Sequence, residues 1–348
     1  MKRIFYSGFS IILMVAFIGL VVTGCGTKGK EANQVQGGST TKQQEQPQLK
    51  YPEKTVEFVV HTNPGDGADI YARTIAEAIN SEKLMPQPMM VLNKPGGSGA
   101  NMYNFVMQRA GDPYILMTAQ ANLLTSPIKN NLPLSYKDFT PVARMAIDPL
   151  VVAVKADSKY KTMKDLIDAA KVAPKAVTQA GGLAGATEYF LSYIIEQKTG
   201  VVFNLLPHRG GGAEAVITLL GGNADFVIMN PSEIVGQVEA GKLRVIAVAT
   251  EERLPSFPDV PTLKEQGIDA TFGLFRGVAM PKDVSPEIVA YLEKVLKQVT
   301  DTNKWKEYLK NNGLISAYLP AKDFKAYLDE QAPIYEQVLK TYETRLAN

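Results

Sequence analysis

Three glycine-rich segments are the parts of this sequence best suited to binding chemistry: residues 63–69 (NPGDGAD), 93–99 (NKPGGSG) and 180–187 (AGGLAGAT). Each follows a short apolar run and precedes an amphipathic stretch, so each is predicted to join a strand to a helix. Glycine lets the backbone approach a ligand closely, and the N–H groups at a helix N-terminus carry partial positive charge. For one loop a plain turn is the simpler interpretation, but three loops at equivalent strand ends favour an anion-binding site.

Several catalytic patterns fail at these loops. The first loop has Ile70 where a dinucleotide fingerprint needs its third glycine, and no loop ends in Gly-Lys-Ser or Gly-Lys-Thr. Residues 96–100 (GGSGA) end in alanine instead of the glycine of a nucleophile elbow. The only two histidines, His61 and His208, are not spaced with a second metal ligand. The sequence therefore predicts no cofactor and no metal, while a hydrolase using Ser98 with either histidine stays open as an alternative.

Charged side chains beside the loops offer a second way to hold an anion. Arg209 and Arg276 are the cations of interest, because a guanidinium can grip a carboxylate with two hydrogen bonds. His61 closes the first predicted strand and His208 precedes Arg209, so both histidines are expected either to line a cleft or to lie in exposed loops. Most arginines lie on protein surfaces, so a surface position without ligand contact is the alternative for Arg209 and Arg276.

Apolar runs and helical stretches alternate along the chain, which predicts an α/β fold built on parallel sheets. The predicted strands are 56–60, 89–92, 114–118, 151–154, 176–179, 202–206, 224–229 and 244–249, and the predicted helices 68–80, 101–109, 186–198, 213–220 and 232–240. Further helices are expected after Thr162, Thr262 and Ser285, each with N-terminal capping residues, and residues 272–280 are expected to be extended.

The chain leaves the first unit near Pro149 and is expected to return near 272–277. This predicts two α/β lobes joined by two crossing hinge segments, with a central ligand cleft. One lobe comprises 51–149 and 277–348, and the other 150–276. Ligands of open α/β sheets bind at the carboxyl ends of strands, so the glycine loops are expected to line that cleft.

The N-terminus resembles an export signal. Lys2 and Arg3 precede an apolar run over 11–22, and the run stops at Cys25, the only cysteine of the chain. We expect residues 1–24 to be a lipoprotein signal peptide, Cys25 to be acylated, and the polar residues 25–50 to form a disordered tether. The protein would then be held at the outer face of the cell membrane; an uncleaved N-terminal anchor is the alternative.

Composition narrows the choice of partner. The 348 residues carry a formal net charge of +2, with 45% hydrophobic residues and no basic run. A nucleic-acid partner is therefore not expected. About 300 residues after the tether suffice for two lobes.

An ordered set of short motifs resembles the substrate-binding receptors of tripartite tricarboxylate transporters, also called Bug receptors. It consists of Tyr51-Pro52, the loop at 64–69 followed by Ala72-Arg73, the loop at 93–99, 138–142 (DFTPV), 220–222 (LGG), 241–244 (GKLR) and 258–262 (PDVPT). The resemblance implies a type II periplasmic-binding-protein fold that closes on a small carboxylate. It also implies a large and a small integral-membrane partner subunit and no enzymatic activity, and we expect a monomer.

The resemblance also implies the ligand contacts. Carried over to this sequence they are Thr62, Asn63, Gly65, Asp66, Gly67, Ala68, Gly96, Gly97, Ser98, Gly99, Gly182, Ala184, Thr187, His208, Arg209 and Asn230, to which the hinge residue Arg276 is added. Three departures from the family pattern stand out: residues 61–63 (HTN) replace a Pro-Phe-Pro-like stretch, Asp66 replaces a glycine, and Ala180 replaces a serine.

The carboxylate of Asp66 would oppose an anionic ligand. It must therefore point to solvent, be neutralised by a cation, or face an ammonium group of the ligand. The function predicted is an extracytoplasmic receptor that delivers a small carboxylate to a transporter; a sensor for a membrane signalling protein is the alternative, and an extracytoplasmic hydrolase is a remote one.

Overall fold

Two mixed β-sheets organise the computed structural model, which describes residues 49–182, 187–209 and 212–347. The expected signal peptide, Cys25 and most of the tether lie outside the described residues, as does Ala184. The strands are β1 (Val56–Val60), β2 (Met89–Asn93), β3 (Ile115–Gln120), β4 (Phe139–Pro149), β5 (Val151–Lys155), β6 (Thr178–Gly181), β7 (Asn204–Pro207), β8 (Phe226–Met229), β9 (Leu243–Val248), β10 (Gly273–Pro281) and β11 (Ile315–Pro320).

The helices alternate with the strands, as an α/β fold requires. They are α1 (Gly67–Ser81), α2 (Ala100–Met107), α3 (Asn122–Lys129), α4 (Met163–Val172), α5 (Glu188–Thr199), α6 (Gly212–Leu220), α7 (Pro231–Glu239), α8 (Pro286–Asp301), α9 (Asn303–Asn311) and α10 (Ala321–Ala347). In the described part of the chain, no helix is both long and apolar enough to span a membrane.

The first sheet has the order β11-β4-β10-β3-β1-β2 and the second the order β7-β6-β8-β5-β9. The chain passes from the first sheet to the second at Leu150, between β4 and β5, and returns just before β10. The two-lobed α/β fold with two crossing segments is confirmed. The exact lobe boundaries stay a prediction.

The expectation of purely parallel sheets was wrong. β1 pairs with β2 and β3 in parallel, but β10 runs antiparallel to β3 and β4, and β5 runs antiparallel to β8 and β9. The reason is the crossing itself. A strand that returns from the other lobe enters the sheet from the cleft side and therefore runs against its neighbours.

Capping residues explain where several helices begin. Thr162 and Asp165 form a reciprocal capping box at α4, and Ser285 caps α8, both as predicted. Thr262 and Glu265 exchange the same two hydrogen bonds, but there they close a turn instead of the expected helix. Gly267 with φ +81° ends this segment after one turn, because Gln266 and Gly267 bond back to Thr262 and Lys264.

The last helix, α10, packs against the first sheet and against helix α5 of the other lobe. Near its start, Phe324 lies edge-on to Phe275 of β10, with ring centroids 5.8 Å apart. Farther along, the ring of Tyr335 lies 4.4 Å from that of Phe190 on α5. All four rings belong to one hydrophobic cluster that includes residues of both sheets.

Candidate functional site

A buried carboxylate organises the first glycine loop. Asp69 is 1% exposed and accepts hydrogen bonds from the Gly65 amide, Arg73 Nε and Asn93 Nδ2, each at 2.8 Å. Burial raises the pKa of Asp69, but the bonds from Arg73, Gly65 and Asn93 outweigh that effect and hold the pKa below its usual value. The charged form is therefore the stable one, and it fixes the loop against the end of β2.

Asn93 ties the first loop to the start of the second. Besides its bond to Asp69, its Nδ2 donates to the Thr62 carbonyl at 2.9 Å, and its Oδ1 accepts from Arg73 Nη2 at 3.2 Å. Both loops thus leave the sheet edge in a fixed relation to each other.

Helix α1 begins without a side-chain cap. The side chain of its N-cap residue, Asp66, does not bond to the first turn, and the N–H groups of Gly67, Ala68 and Asp69 have no acceptor within 49–182, 187–209 or 212–347. Three free amides and the positive end of a 15-residue helix form a site suited to an anion.

The Asp66 side chain turns back onto its own loop. It is exposed, and its Oδ2 accepts from the Asn63 amide at 3.1 Å. Of the alternatives considered above, the structure shows the solvent-exposed one, so the charge of Asp66 is partly screened by water.

A polar stripe on α3 positions the second loop. Asn122, Ser126 and Asn130 follow one another at four-residue spacing along α3 and its C-cap. Asn122 Nδ2 lies 3.5 Å from the Ser98 carbonyl oxygen, and Ser126 Oγ and Asn130 Nδ2 each lie 3.5 Å from that of Gly97.

The orientation of the peptide groups in this loop follows from those contacts. In a trans peptide the N–H points opposite to the C=O, so the Ser98 N–H points away from α3. The backbone needed for this arrangement has φ of +114° at Gly96, +57° at Gly97, +52° at Ser98 and +106° at Gly99. The N–H groups of Gly97 and Ser98 have no acceptor in the described part of the chain.

In the other lobe, a buried carboxyl contacts the Gly182 backbone just after β6. The Glu188 carboxylate, on the first residue of α5, accepts a short hydrogen bond from the Gly182 amide, and Tyr189 Oη donates to the Gly182 carbonyl at 2.8 Å. Burial raises the pKa of Glu188, although the bond from Gly182 opposes the shift. The predicted contact Gly182 is therefore engaged within its own lobe, and Thr187 is the half-buried N-cap residue beside it.

His208 lies beside the same loop. Its amide and Nδ1 lie 2.9 and 3.1 Å from the Gly181 carbonyl oxygen, and Thr218 Oγ1 lies 2.7 Å from its Nε2. Both ring nitrogens are thereby used to fix loop geometry. Its neighbour Arg209 is exposed.

His61 occupies a different place, at the end of β1. Its Nδ1 lies 3.3 Å from Thr118 Oγ1 of β3. Burial lowers the pKa of His61 to about 4, although the Asp66 carboxylate opposes the shift. The imidazole is therefore neutral near pH 7. Neither histidine bonds to Ser98 in the described residues.

The predicted contacts Arg276 and Asn230 meet at one hinge carboxylate. Arg276 Nη2 donates to Asp148 Oδ2 at 2.8 Å, and Asn230 Nδ2 donates to Asp148 Oδ1 at 2.7 Å. Asn230 Nδ2 also reaches the Pro149 carbonyl at 2.9 Å, and Arg276 Nη1 lies 3.4 Å from that of Gly67. Burial raises the pKa of Asp148, and the Arg276 charge offsets part of the shift. This network joins the first loop, the hinge and the N-terminus of α7.

The structure thus brings together the first two loops and Arg276, and separately Gly182, Thr187 and His208. Sequence reasoning placed Asn93 in the second loop but not among the contacts, and it missed Asp148 and the α3 stripe as parts of the site. The stripe has a readable signal in the polar spacing 122, 126 and 130, whereas nothing local pairs Asp148 with Arg276, which lie 128 residues apart. No cluster of metal-ligating side chains occurs within the ranges the structure describes.

Comparisons with known proteins agree with this geometry. The tripartite tricarboxylate transporter family receptor model matches residues 71–343. A UPF0065 protein from the gbd 5' region of Cupriavidus necator is 29% identical over 282 residues, covering 81% of this chain and 85% of the relative. Protein BugT of Bordetella pertussis is 27% identical, covering 71% and 77% of the two chains.

Solved structures show the same fold. A TctC solute-binding protein from Polaromonas, solved without ligand, is 32% identical with a TM-score of 0.77, covering 84% of this chain and 99% of that one. The periplasmic binding protein BugD is 25% identical with a TM-score of 0.60, covering 84% and 99%. The chain therefore belongs to the tripartite tricarboxylate transporter receptor family, whose members are extracytoplasmic solute-binding proteins.

Proposed function

We propose that this protein is a lipid-anchored receptor that captures a small organic carboxylate and delivers it to the membrane subunits of a tripartite transporter. One observation carries the proposal: the free N–H groups of Gly67, Ala68 and Asp69 and those of Gly97 and Ser98 belong to two loops fixed to each other by Asn93. Oriented amides at a helix N-terminus bind a carboxylate without a paired cation. The cations beside the first loop, Arg276 and Arg73, are already paired with Asp148 and Asp69.

Binding without bond breaking fits the same residues. Each histidine is fixed by other partners, and an oxyanion-type site without an activated nucleophile holds an anion but does not cleave a substrate. Capture by two lobes that close around the ligand requires only that the closed state bind more tightly than the open one.

The first test is a thermal-shift screen against mono-, di- and tricarboxylates, aromatic acids and amino acids. A ligand at a hundredfold excess over its Kd raises the free energy of unfolding by about 2.7 kcal/mol, which such a screen detects. Stabilisation by a carboxylate class supports the receptor. Stabilisation by neutral solutes or amines alone contradicts it.

A matched pair of variants tests the amide site itself. Gly67 is the first residue of α1, where proline is tolerated, and Asp66 before it has ψ of 161°, which proline favours in a preceding residue. Gly67→Pro removes one N–H group, whereas Gly67→Ala keeps it and places a Cβ 3.8 Å from Arg276 Nη1, an ordinary contact.

We expect Gly67→Pro to weaken carboxylate binding about tenfold, the cost of one charge-assisted hydrogen bond, and Gly67→Ala to bind like wild type. Calorimetric titration measures both. Equal affinities of the two variants contradict the proposed role of the first loop.

The lipid anchor needs a separate experiment. Cys25 lies outside the described residues, and its acylation is supported by the apolar run over 11–22 that precedes it. We expect cells fed a palmitate analogue to label the wild-type chain but not Cys25→Ala. Equal labelling of the two chains would exclude Cys25 as the acylated residue.

A further inference from the structure

Among the buried side-chain polar atoms that lack a hydrogen-bond partner in the described residues, four belong to β3, β10 and the segments that follow β1 and β3. They are Thr62 Oγ1, Gln120 Nε2, Asn122 Oδ1 and Arg276 Nε. Buried polar groups are normally satisfied, so a group of unsatisfied ones calls for a partner that the chain itself does not supply. Gln120 and Asn122 belong to the turn from β3 to α3, which the sequence analysis did not include in the site.

The fold places these four residues at one edge of the first sheet. Gln120 and Arg276 are directly paired between β3 and β10, so their side chains lie on the same face. Arg276 Nη1 lies 3.4 Å from the Gly67 carbonyl of the first loop. Asn122 lies 3.5 Å from the Ser98 carbonyl of the second loop. Arg276 and Asn122 therefore contact the two loops that offer free amides, and Gln120 is the strand partner of Arg276.

The pairing of Arg276 with Asp148 determines which ligand groups its guanidinium can bind. Its Nη2 is engaged by Asp148 at 2.8 Å, and its Nη1 lies near Gly67 and Tyr308, each at 3.4 Å. The Nε–H is a donor without a partner in the described residues, on a guanidinium whose charge is already balanced. Arg276 is thus suited to a neutral acceptor and is poorly suited to a second anionic group.

The set of unsatisfied atoms contains donors and an acceptor. Gln120 Nε2 and Arg276 Nε donate, Asn122 Oδ1 accepts, and the Thr62 hydroxyl does either. A hydroxyl group matches such a set, because its oxygen accepts two hydrogen bonds and its hydrogen is donated. An ammonium group offers nothing to the two donors, a second carboxylate offers nothing to Asn122 Oδ1, and a methylene satisfies none of them.

We propose that Gln120, Asn122 and Arg276 form a polar wall that selects carboxylates carrying a hydroxyl group on the carbon next to the bound carboxyl. The hydroxyl position follows from the contacts of this wall with both carboxylate-binding loops. The proposal rests on the proposed function, since the two loops must hold the carboxyl. It assigns specificity to residues that the loops themselves do not contain.

Matched acids test this wall by calorimetric titration of the full-length chain. The pairs are lactate with propionate, malate with succinate, and mandelate with phenylacetate, which differ only by the 2-hydroxyl. We expect the hydroxylated acid of at least one pair to bind about tenfold or more tightly than its partner, because a site built to hydrogen-bond a hydroxyl rejects the analogue without it.

Two variants locate the preference. Gln120→Leu is expected to bring the affinity ratio of that pair close to one while leaving the affinity for the unsubstituted acid within about twofold. Asn122→Ala is also expected to bring the ratio close to one, but it weakens binding of both acids because Asn122 contacts the Ser98 carbonyl and positions the second loop. The control Gln108→Leu, at the exposed C-cap of α2, is expected to keep the wild-type ratio. If one of these two variants does not fold, the affinity ratio measured with the other tests the proposed wall.

The possible failures are distinguishable. If the wild type binds both acids of every pair equally, or if neither variant changes the ratio, Gln120, Asn122 and Arg276 do not select the hydroxyl group. The proposed receptor function is unaffected by that result. If none of the six acids binds and the wider carboxylate screen is also negative, both proposals are overturned.

Discussion

Asp69 is the side chain on which the geometry of both binding loops depends. It is 1% exposed and carries three hydrogen bonds at 2.8 Å, two of which hold Gly65 and Asn93. Asp69→Asn keeps the shape but replaces one acceptor oxygen by a donor. We expect a loss of about 1–3 kcal/mol in the free energy of unfolding, measured in urea, and weaker carboxylate binding.

Asp66→Asn is the matched control for stability. The Asp66 carboxylate is exposed and accepts one bond, so its replacement is expected to change stability by less than about 0.5 kcal/mol. If the two variants lose the same unfolding free energy, the buried hydrogen bonds of Asp69 do not stabilise the loops more than the exposed bond of Asp66 does.

His61 should make folding stability sensitive to acid. Its pKa is lowered by burial to about 4 in the folded protein, against about 6.5 when unfolded. Between these values the unfolded chain binds the proton more tightly, so stability is complete above pH 6.5 and falls as the pH drops toward 4. The expected loss from this group is about 3 kcal/mol.

His61→Gln removes this contribution while other titrating groups stay. The difference in unfolding free energy between wild type and His61→Gln, measured from pH 7 to 4, should therefore change by that amount. Parallel curves would mean that the imidazole is solvated in the folded protein.

Residue roles were predictable from the sequence only where they are local. Glycines at 96, 97 and 99 indicated a loop that needs positive φ, and the structure has it. Arg276 was expected to face the ligand with its charge, but Asp148 neutralises it across 128 residues of sequence. Pairing of this kind depends on strand register, which no local pattern encodes.

Among the elements, the second loop is the most constrained. Gly99 has φ +106°, and a Cβ there would lie 2.8 Å from Asn122 Nδ2 and 3.0 Å from the Tyr103 ring. Gly99→Ala therefore adds a clash to the backbone strain and displaces the loop from α3. We expect a loss of about 2–4 kcal/mol in stability together with loss of carboxylate binding.

Gly200→Ala separates strain from clash. Gly200 ends α5 with φ +74° and has no atom within 4 Å of an added Cβ. We expect it to lose about 1 kcal/mol and to keep full ligand affinity. If Gly99→Ala behaves in the same way, the contact with α3 does not position the second loop.

Element types were largely predictable, but element directions were not. The strand at 56–60 and the caps at Thr162 and Ser285 follow from alternation and capping chemistry, and all are observed. β4 was missed because Pro141, Arg144 and Asp148 interrupt its apolar pattern. Asp148 is tolerated because it lies at the hinge end of β4 and pairs with Arg276, and Arg144 is tolerated because its Nε donates to the Ala317 carbonyl of β11.

At the scale of the whole molecule, α10 packs on strand β10 of the first sheet and on helix α5 of the other lobe. Its first turns pack on β10 through Phe324, and its second half packs on α5 through Tyr335, whose ring is fully buried between Phe190 and Phe272. A brace of this kind couples the stability of the lobes, so unfolding of the wild-type domain is expected to be a single transition.

Tyr335→Ala tests that coupling. Removing a fully buried aromatic ring leaves a cavity at the contact between α10 and α5, with an expected loss of about 3–5 kcal/mol in unfolding free energy. Because the ring lies between α5 and the hinge residue Phe272, the transition in urea is also expected to broaden or split. Tyr335→Phe is the control, since the buried hydroxyl has no partner in the described residues and its removal should cost nothing. If Tyr335→Ala shifts the midpoint by as little as Tyr335→Phe, then α10 lies on the second lobe without bracing it, and closure around the ligand is governed by the hinge network at Asp148 alone.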